Sequence, residues 1–390
     1  MARVLILGGG FGGVATAVTL RKQLGSSHEI TLVDQRESFA FGFRKTWAFI
    51  GTSPMADGSR PLMGLQRLGI DVIRGTIESI EPANRSAIVD GKQLLADSLV
   101  VALGAQAKPG AVPGFVEHGV YFYDLTAVGE AHRCLQEFEG GRVAIVILGL
   151  PYPCPPAPYE TALLMKENFA GRSLQAEIHV YSPQPMSLPV LGEAGCSAIE
   201  GRLAEAGIVF HPYHQVDRIE SQQVVFGTGA APFDFLIGIP VHASPEVVVA
   251  SGLTEKGAWI NVDPRTLETS HPDIYAVGDS VHIPLANGKA LPKAGVFAEA
   301  QGLVVAKRIA AKLTGEAPAA TFGGEGNCFL EVGAGKAMLV RGDFLAEPRP
   351  DVELLEASEV NYQAKLDFER TRLEAWFGEA LEQSRVDDPA

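Results

Sequence analysis

The stretch 3-RVLILGGGFGG-13 decides the fold: an apolar run flows directly into six residues of which five are glycine. Within it Gly8, Gly10 and Gly13 satisfy GxGxxG, with Phe11 and Gly12 inside the same turn. The spacing predicts one glycine for the tight turn, one for close backbone approach to a pyrophosphate, and one for helix–strand packing. Apolar residues at Ala15, Ala17, Leu20 and Leu24 then mark a helix, whose N-terminal N–H groups and dipole favour an anion. A second strand, 29-EITLVD-34, ends in Asp34, 21 residues after Gly13, where a carboxylate meets the ribose hydroxyls of an adenosine. The motif does not separate FAD from NAD, because both carry ADP.

The bulk properties bound what surrounds this unit. A chain of 390 residues predicts two or three domains, and 46% hydrophobic with 20% charged residues fits a globular α/β protein. A net charge of −14 with no Lys/Arg cluster argues against nucleic acid as a partner and against simple attraction to anionic lipid. Stretches such as 98-SLVVALGA-105 and 143-VAIVILGL-150 are far short of a membrane span. The start, MARVLILGGG, places no export segment before the first motif, so a cytoplasmic chain is expected, with peripheral contact at the inner membrane face left open. The four cysteines, Cys134, Cys154, Cys196 and Cys328, are widely spaced and match no zinc or haem pattern, so no metal is expected.

Two later segments narrow the cofactor. The strand 96-ADSLVVALGAQ-106 ends in small residues around Gly104, and 272-PDIYAVGDS-280 is an apolar strand ending in Gly-Asp. These resemble signatures of the two-dinucleotide-domain FAD oxidoreductases. The resemblance implies that Asp279 bonds the ribitol of FAD and that Gly104 lets the backbone pass the cofactor closely. In 291-LPKAGVFAEAQGLVVAKRIAAKL-313 a helix start next to Lys293 would stabilise negative charge on reduced flavin.

Residues 113–235 read as a second βαβ unit: strand 142-RVAIVIL-148, a helix from about Pro158 to Phe169, and strand 176-AEIHVYS-182. Here the expected fingerprint is absent. Only Gly149 remains, and 151-PYPCPPAP-158 fills the turn. Prolines have no N–H with which to cradle pyrophosphate, and the second strand lacks its terminal acid. The unit is expected to have kept its fold and lost its nucleotide, with the turn rebuilt to hold Cys154 on a stiff backbone.

Taken together, 8-GGGFGG-13, 154-CPPAPYE-160, 278-GD-279, 291-LPKAG-295 and 327-NCFLEVGAGKAMLV-340 resemble the sulfide:quinone oxidoreductase and flavocytochrome c sulfide dehydrogenase flavoprotein family. The resemblance implies that Cys154 and Cys328 meet at the flavin as a redox-active disulfide. Sulfide opens it, one sulfur carries a persulfide, and two electrons pass through FAD to a quinone or another acceptor. The sulfane sulfur then leaves as polysulfide or on a small acceptor, the substrate being sulfide or a small thiol or polysulfide. Glu160 matches a family glutamate read as a base. Hydrosulfide suits this chemistry, being abundant and nucleophilic near neutral pH. One departure concerns the C-terminus, where membrane-bound members carry paired amphipathic helices. Here 362-YQAKLDFERTRLEAWFGEALEQ-383 predicts a single charged helix that packs on its own domain.

The expected architecture is a doubly wound α/β protein with two Rossmann-like three-layer domains and a C-terminal α+β region. The FAD domain spans 1–112 and 236–320, the degenerate domain 113–235, and the C-terminal domain, carrying Cys328, 321–390. Two other readings stand beside sulfide oxidation: a type II NADH dehydrogenase-like enzyme, and a non-catalytic flavoprotein whose thiols sense redox state. The oligomeric state stays open.

Overall fold

The computed structural model describes residues 1–255 and 258–378. The chain begins with β1 (Arg3–Leu7), α1 (Phe11–Leu24), β2 (Glu29–Asp34), α2 (Arg44–Ile50), β3 (Asp71–Arg74) and β4 (Ser98–Val101). It continues through β5 (Gly141–Ile147), α3 (Ala157–Gly171), β6 (Ala176–Tyr181), β7 (Ile208–His211) and β8 (Phe235–Ile239). It closes with β9 (Ile274–Ala276), α4 (Gly295–Thr314), β10 (Glu325–Gly333), β11 (Lys336–Asp343), β12 (Asp351–Ser358) and α5 (Glu359–Phe377).

The first sheet is wholly parallel, in the order β9-β4-β1-β2-β3. Its inner strands β1 and β4 are near-continuous apolar runs because both faces are covered, as parallel sheets require. Since β1 has β2 on one side and β4 on the other, the strand order reverses there, and the crevice beyond its C-terminal end is where such sheets take ligands. Helices α1 and α4 cross at close range over this sheet. A Cβ on Gly302 would lie 2.5 Å from the Gly12 carbonyl oxygen, and Thr16 Oγ1 donates to both Gly12 O and Gly302 O.

The second sheet, β7-β6-β5-β8, is also parallel, and α3 connects β5 to β6 where the sequence places a crossover helix. The strand β8 straddles the expected break at 235/236 and belongs to this sheet, with Val143 opposite Phe235 and Ile147 opposite Ile239. The third sheet, β10-β11-β12, is antiparallel and leads into α5.

Helix α5 starts three residues before the expected 362 because Ser358 caps it, its Oγ accepting from Asn361 N at 3.1 Å. The expected continuation to 383, with Leu381, lies outside the described residues. Leu373, Trp376 and Phe377 are buried, and Trp376 packs edge-on to Phe11 and Phe39. The apolar face of α5 is therefore spent on the protein's own core. No described helix is long and apolar enough to cross a membrane.

Candidate functional site

The N-terminal turn has the shape that its glycines demand. Gly8 sits at φ +108°, where an added Cβ would lie 2.3 Å from Ala102 O, and a Cβ on Gly13 would lie 1.8 Å from Gly8 O. Neither position admits a side chain. Outward from this tight base, the Cβ positions of Gly10 and Gly104 face open space. Helix α1 begins with no side-chain cap and no acid in its first turn, which leaves its N-terminus suited to an anion.

Asp34 stands at the end of β2 as expected, with Oδ2 accepting from Gly9 N at 2.6 Å. Arg36, which the sequence reading missed, grips the same carboxylate through Nε at 3.0 Å and Nη2 at 2.7 Å. Burial pushes this carboxyl upward, and the Arg36 bonds outweigh it and hold Asp34 below the usual range.

Asp279 and Lys293 come together across the crevice. Lys293 is buried, not solvated: its Nζ donates to Asp279 O at 2.6 Å and to Val281 O at 3.2 Å, and it lies 3.4 Å from the Trp259 ring centroid. Burial lowers it to about 8. Burial also pushes the Asp279 carboxyl up, opposed by Lys293 and by Lys45. The cradle at α1, the acid at β2, the open flank of Gly104 and the buried lysine at α4 together fit an FAD.

The proline-rich turn is built differently. Pro155, Pro156 and Pro158 have no N–H, while the N–H groups of Ala157, Tyr159 and Glu160 donate to Cys154 O, Pro156 O and Pro156 O. No donor of these residues is left for a pyrophosphate. Cys154 itself adopts φ +56°, a left-handed conformation costing roughly 1–3 kcal/mol for a residue with a side chain. Its N–H donates to Lys293 O at 2.8 Å, so the turn is pinned to the loop that enters α4.

Against this turn lies β10, and the structure brings Cys328 to Cys154 although 174 positions separate them. Both are free thiols. The neighbouring Cys154 sulfur, followed by burial, raises the Cys328 thiol well above its ordinary value. The other two cysteines stand apart from this pair: Cys134 on a surface helix beside Glu130, and Cys196 buried on another helix.

Glu160 is a buried carboxylate rather than a surface one. Lys365 of α5, with 1% of its side chain exposed, donates to Glu160 Oε1 at 2.6 Å and to Glu331 Oε2 at 2.8 Å. Glu160 Oε2 accepts from Glu331 N at 3.2 Å, and Trp47 Nε1 donates to Glu331 Oε2 at 2.7 Å. Burial pushes Glu160 up, with Lys365 the main opposing influence. Two carboxylates and one ammonium thus share a closed compartment beside Cys328. Lys365, Glu331 and Trp47 were not singled out in the sequence.

The sequence profile of the family described as pyridine nucleotide-disulphide oxidoreductase matches residues 2–302. The mitochondrial sulfide:quinone oxidoreductase of Mus musculus is 21% identical over 88% of this chain and 79% of its own length. An alternative NAD(P)H-ubiquinone oxidoreductase of Arabidopsis thaliana is 26% identical over 74% of this chain and 63% of its own. Among solved structures, the sulfide:quinone oxidoreductase of Aquifex aeolicus superposes with a TM-score of 0.87 at 24% identity, covering 97% of this chain and 92% of that one.

Proposed function

The chain belongs to the pyridine nucleotide-disulphide oxidoreductase family, and we propose that it is an FAD enzyme oxidising sulfide or a related small sulfur species through Cys154 and Cys328, with a quinone as acceptor. The observation that carries this reading is the meeting of two cysteines from distant parts of the chain, one of them held in a strained, proline-flanked turn.

In the oxidised enzyme the two sulfurs form a disulfide. Hydrosulfide attacks one of them; the S–S bond breaks as a new one forms, leaving a persulfide on one cysteine and a thiolate on the other. When bound, FAD supplies the two-electron sink that lets the sulfur leave oxidised and the disulfide re-form. The chain's own part is positional and electrostatic. The turn at Cys154 fixes one sulfur against the loop that carries Lys293, and the strand β10 carries the other. Lys293 and the N-terminus of α4 would hold the flavin end of the cofactor and supply positive potential to offset the negative charge of reduction. Glu160, raised by burial and anchored on Lys365, is the group beside the pair that holds or accepts a proton.

The likeness to an NAD(P)H-ubiquinone oxidoreductase favours a second reading, hydride transfer from a nicotinamide. Against it stands the α3 turn, where Pro155, Pro156 and Pro158 have no N–H and those of Ala157, Tyr159 and Glu160 bond within the turn. The test is anaerobic reduction by sulfide of the wild type and of Cys154→Ser and Cys328→Ser. Bleaching of the flavin band in the wild type and its loss in both variants is expected. Bleaching that survives both substitutions overturns the cysteine relay.

A further inference from the structure

One buried hydroxyl, on a tyrosine packed against the cluster that holds Tyr152 and Tyr159 of the Cys154 turn, has nothing to bond. Tyr123 Oη is shielded from solvent and finds no hydrogen-bond partner among the described residues. The neighbouring tyrosines are satisfied: Tyr152 donates to Pro155 O at 3.1 Å and Tyr159 to Ser187 O at 2.7 Å. An unpaired buried donor costs stability, so a hydroxyl kept in that condition points to a ligand that supplies the acceptor. A cation stands beside the same residue, at its main-chain end. Lys45, on α2, donates from Nζ to the Tyr123 carbonyl at 2.7 Å and lies 5.8 Å from the Tyr123 ring centroid. The imidazole of His242 closes the corner, its ring edge-on to Tyr123 at 5.3 Å and its Nδ1 engaged with Pro240 O.

We propose that Tyr123 Oη and the Lys45 ammonium form an anion-accepting corner beside Cys154 that binds and orients the anionic sulfur species, hydrosulfide or a cysteine-bound sulfane sulfur. The inference rests on the sulfide reading and adds two residues that it does not require. The electrostatics agree. Burial holds Lys45 below the usual lysine range, and the Cys154 sulfur is the largest influence acting in the other direction, ahead of Asp124 and Asp279; Arg36 opposes them. Burial, then Cys154, pushes the Tyr123 hydroxyl well above its ordinary value, so it stays a proton donor at every working pH. Sulfur anions are large and weakly hydrated, and one donor plus one cation suffices to orient them.

The orphaned hydroxyl makes the test sharp, because Tyr123→Phe removes a group that nothing in the protein uses. The expected result is an unchanged or higher Tm with an about tenfold slower second-order bleaching of the flavin by sulfide. A purely structural hydroxyl would do the reverse. Independently of sulfide, Cys154 in the reduced holoprotein is alkylated with iodoacetate and with iodoacetamide, and the modified peptide is quantified by mass spectrometry. The anionic reagent's advantage should fall about tenfold in Lys45→Met and return in Lys45→Arg. A ratio unchanged in Lys45→Met, or a Tyr123→Phe protein that loses Tm and keeps its sulfide rate, overturns the corner. Should sulfide fail to bleach the wild type, the sulfide reading falls, and the alkylation ratio alone decides whether the anion corner exists.

Discussion

Two positions carry most of the chemistry that can be argued residue by residue. Cys154 holds φ +56° in a turn that its prolines stiffen, and glycine adopts that conformation freely. Cys154→Gly should therefore fold with a chemical-denaturation midpoint no lower than wild type while losing sulfide-driven flavin bleaching; a midpoint well below wild type would mean the turn is not strained. Lys293 gives a pH prediction. Its folded value of about 8 lies below the ordinary 10.5, so between these values the unfolded chain binds the extra proton. Stability of the cofactor-free protein should rise as pH increases through that window, by roughly 3 kcal/mol for a shift of this size. Denaturation midpoints across the window should rise in the wild type and stay flat in Lys293→Met.

At the scale of elements, α5 is the least obvious part of the site. Its buried line runs through Asn361, Lys365, Glu369, Leu373, Trp376 and Phe377, at helical spacing. The polar members are matched: Lys365 with Glu160 and Glu331, Glu369 with Arg44, and flanking Arg372 with Glu299. Lys365→Met should destabilise the protein by about 3–5 kcal/mol, because it leaves two carboxylates buried without their cation. Adding Glu331→Gln should recover part of that loss, and a Lys365→Met protein with wild-type Tm would show that the triad holds nothing together. The legibility of the elements follows from the range of their signals. The β1-turn-α1-β2 unit was readable because its glycines and Asp34 act within 35 residues of chain. The ion pairs that tie α5 to the rest of the protein were not, since those partners lie at least 34 positions away; the one available signal was a lysine and a glutamate falling on the apolar line of the helix.

Over the whole molecule, the two parallel sheets have diverged in what their first turns offer. One ends in an open, glycine-lined helix start, the other in a proline-rich turn whose Ala157, Tyr159 and Glu160 N–H groups are bonded within it. The α/β class and the two βαβ units were legible, because hydrophobic runs and turn residues set them locally; the order of strands within each sheet was not read from the sequence. The junction near Phe235 was not, since only pairing with β5 assigns β8 to the second sheet. The encounter of Cys154 with Cys328 was implied by family resemblance alone; no local pattern brings together residues 174 positions apart. If the second sheet no longer serves a nucleotide, NADH should neither bind tightly nor raise Tm, whereas FAD removal should lower Tm by linkage. The central claim is tested most directly by an anaerobic titration of the FAD-loaded protein, sulfide added to one sample and NADH to another. Bleaching of the visible flavin band by sulfide, with NADH without effect, is the predicted result. Bleaching by NADH alone would contradict the account and place the protein among the nicotinamide-dependent enzymes.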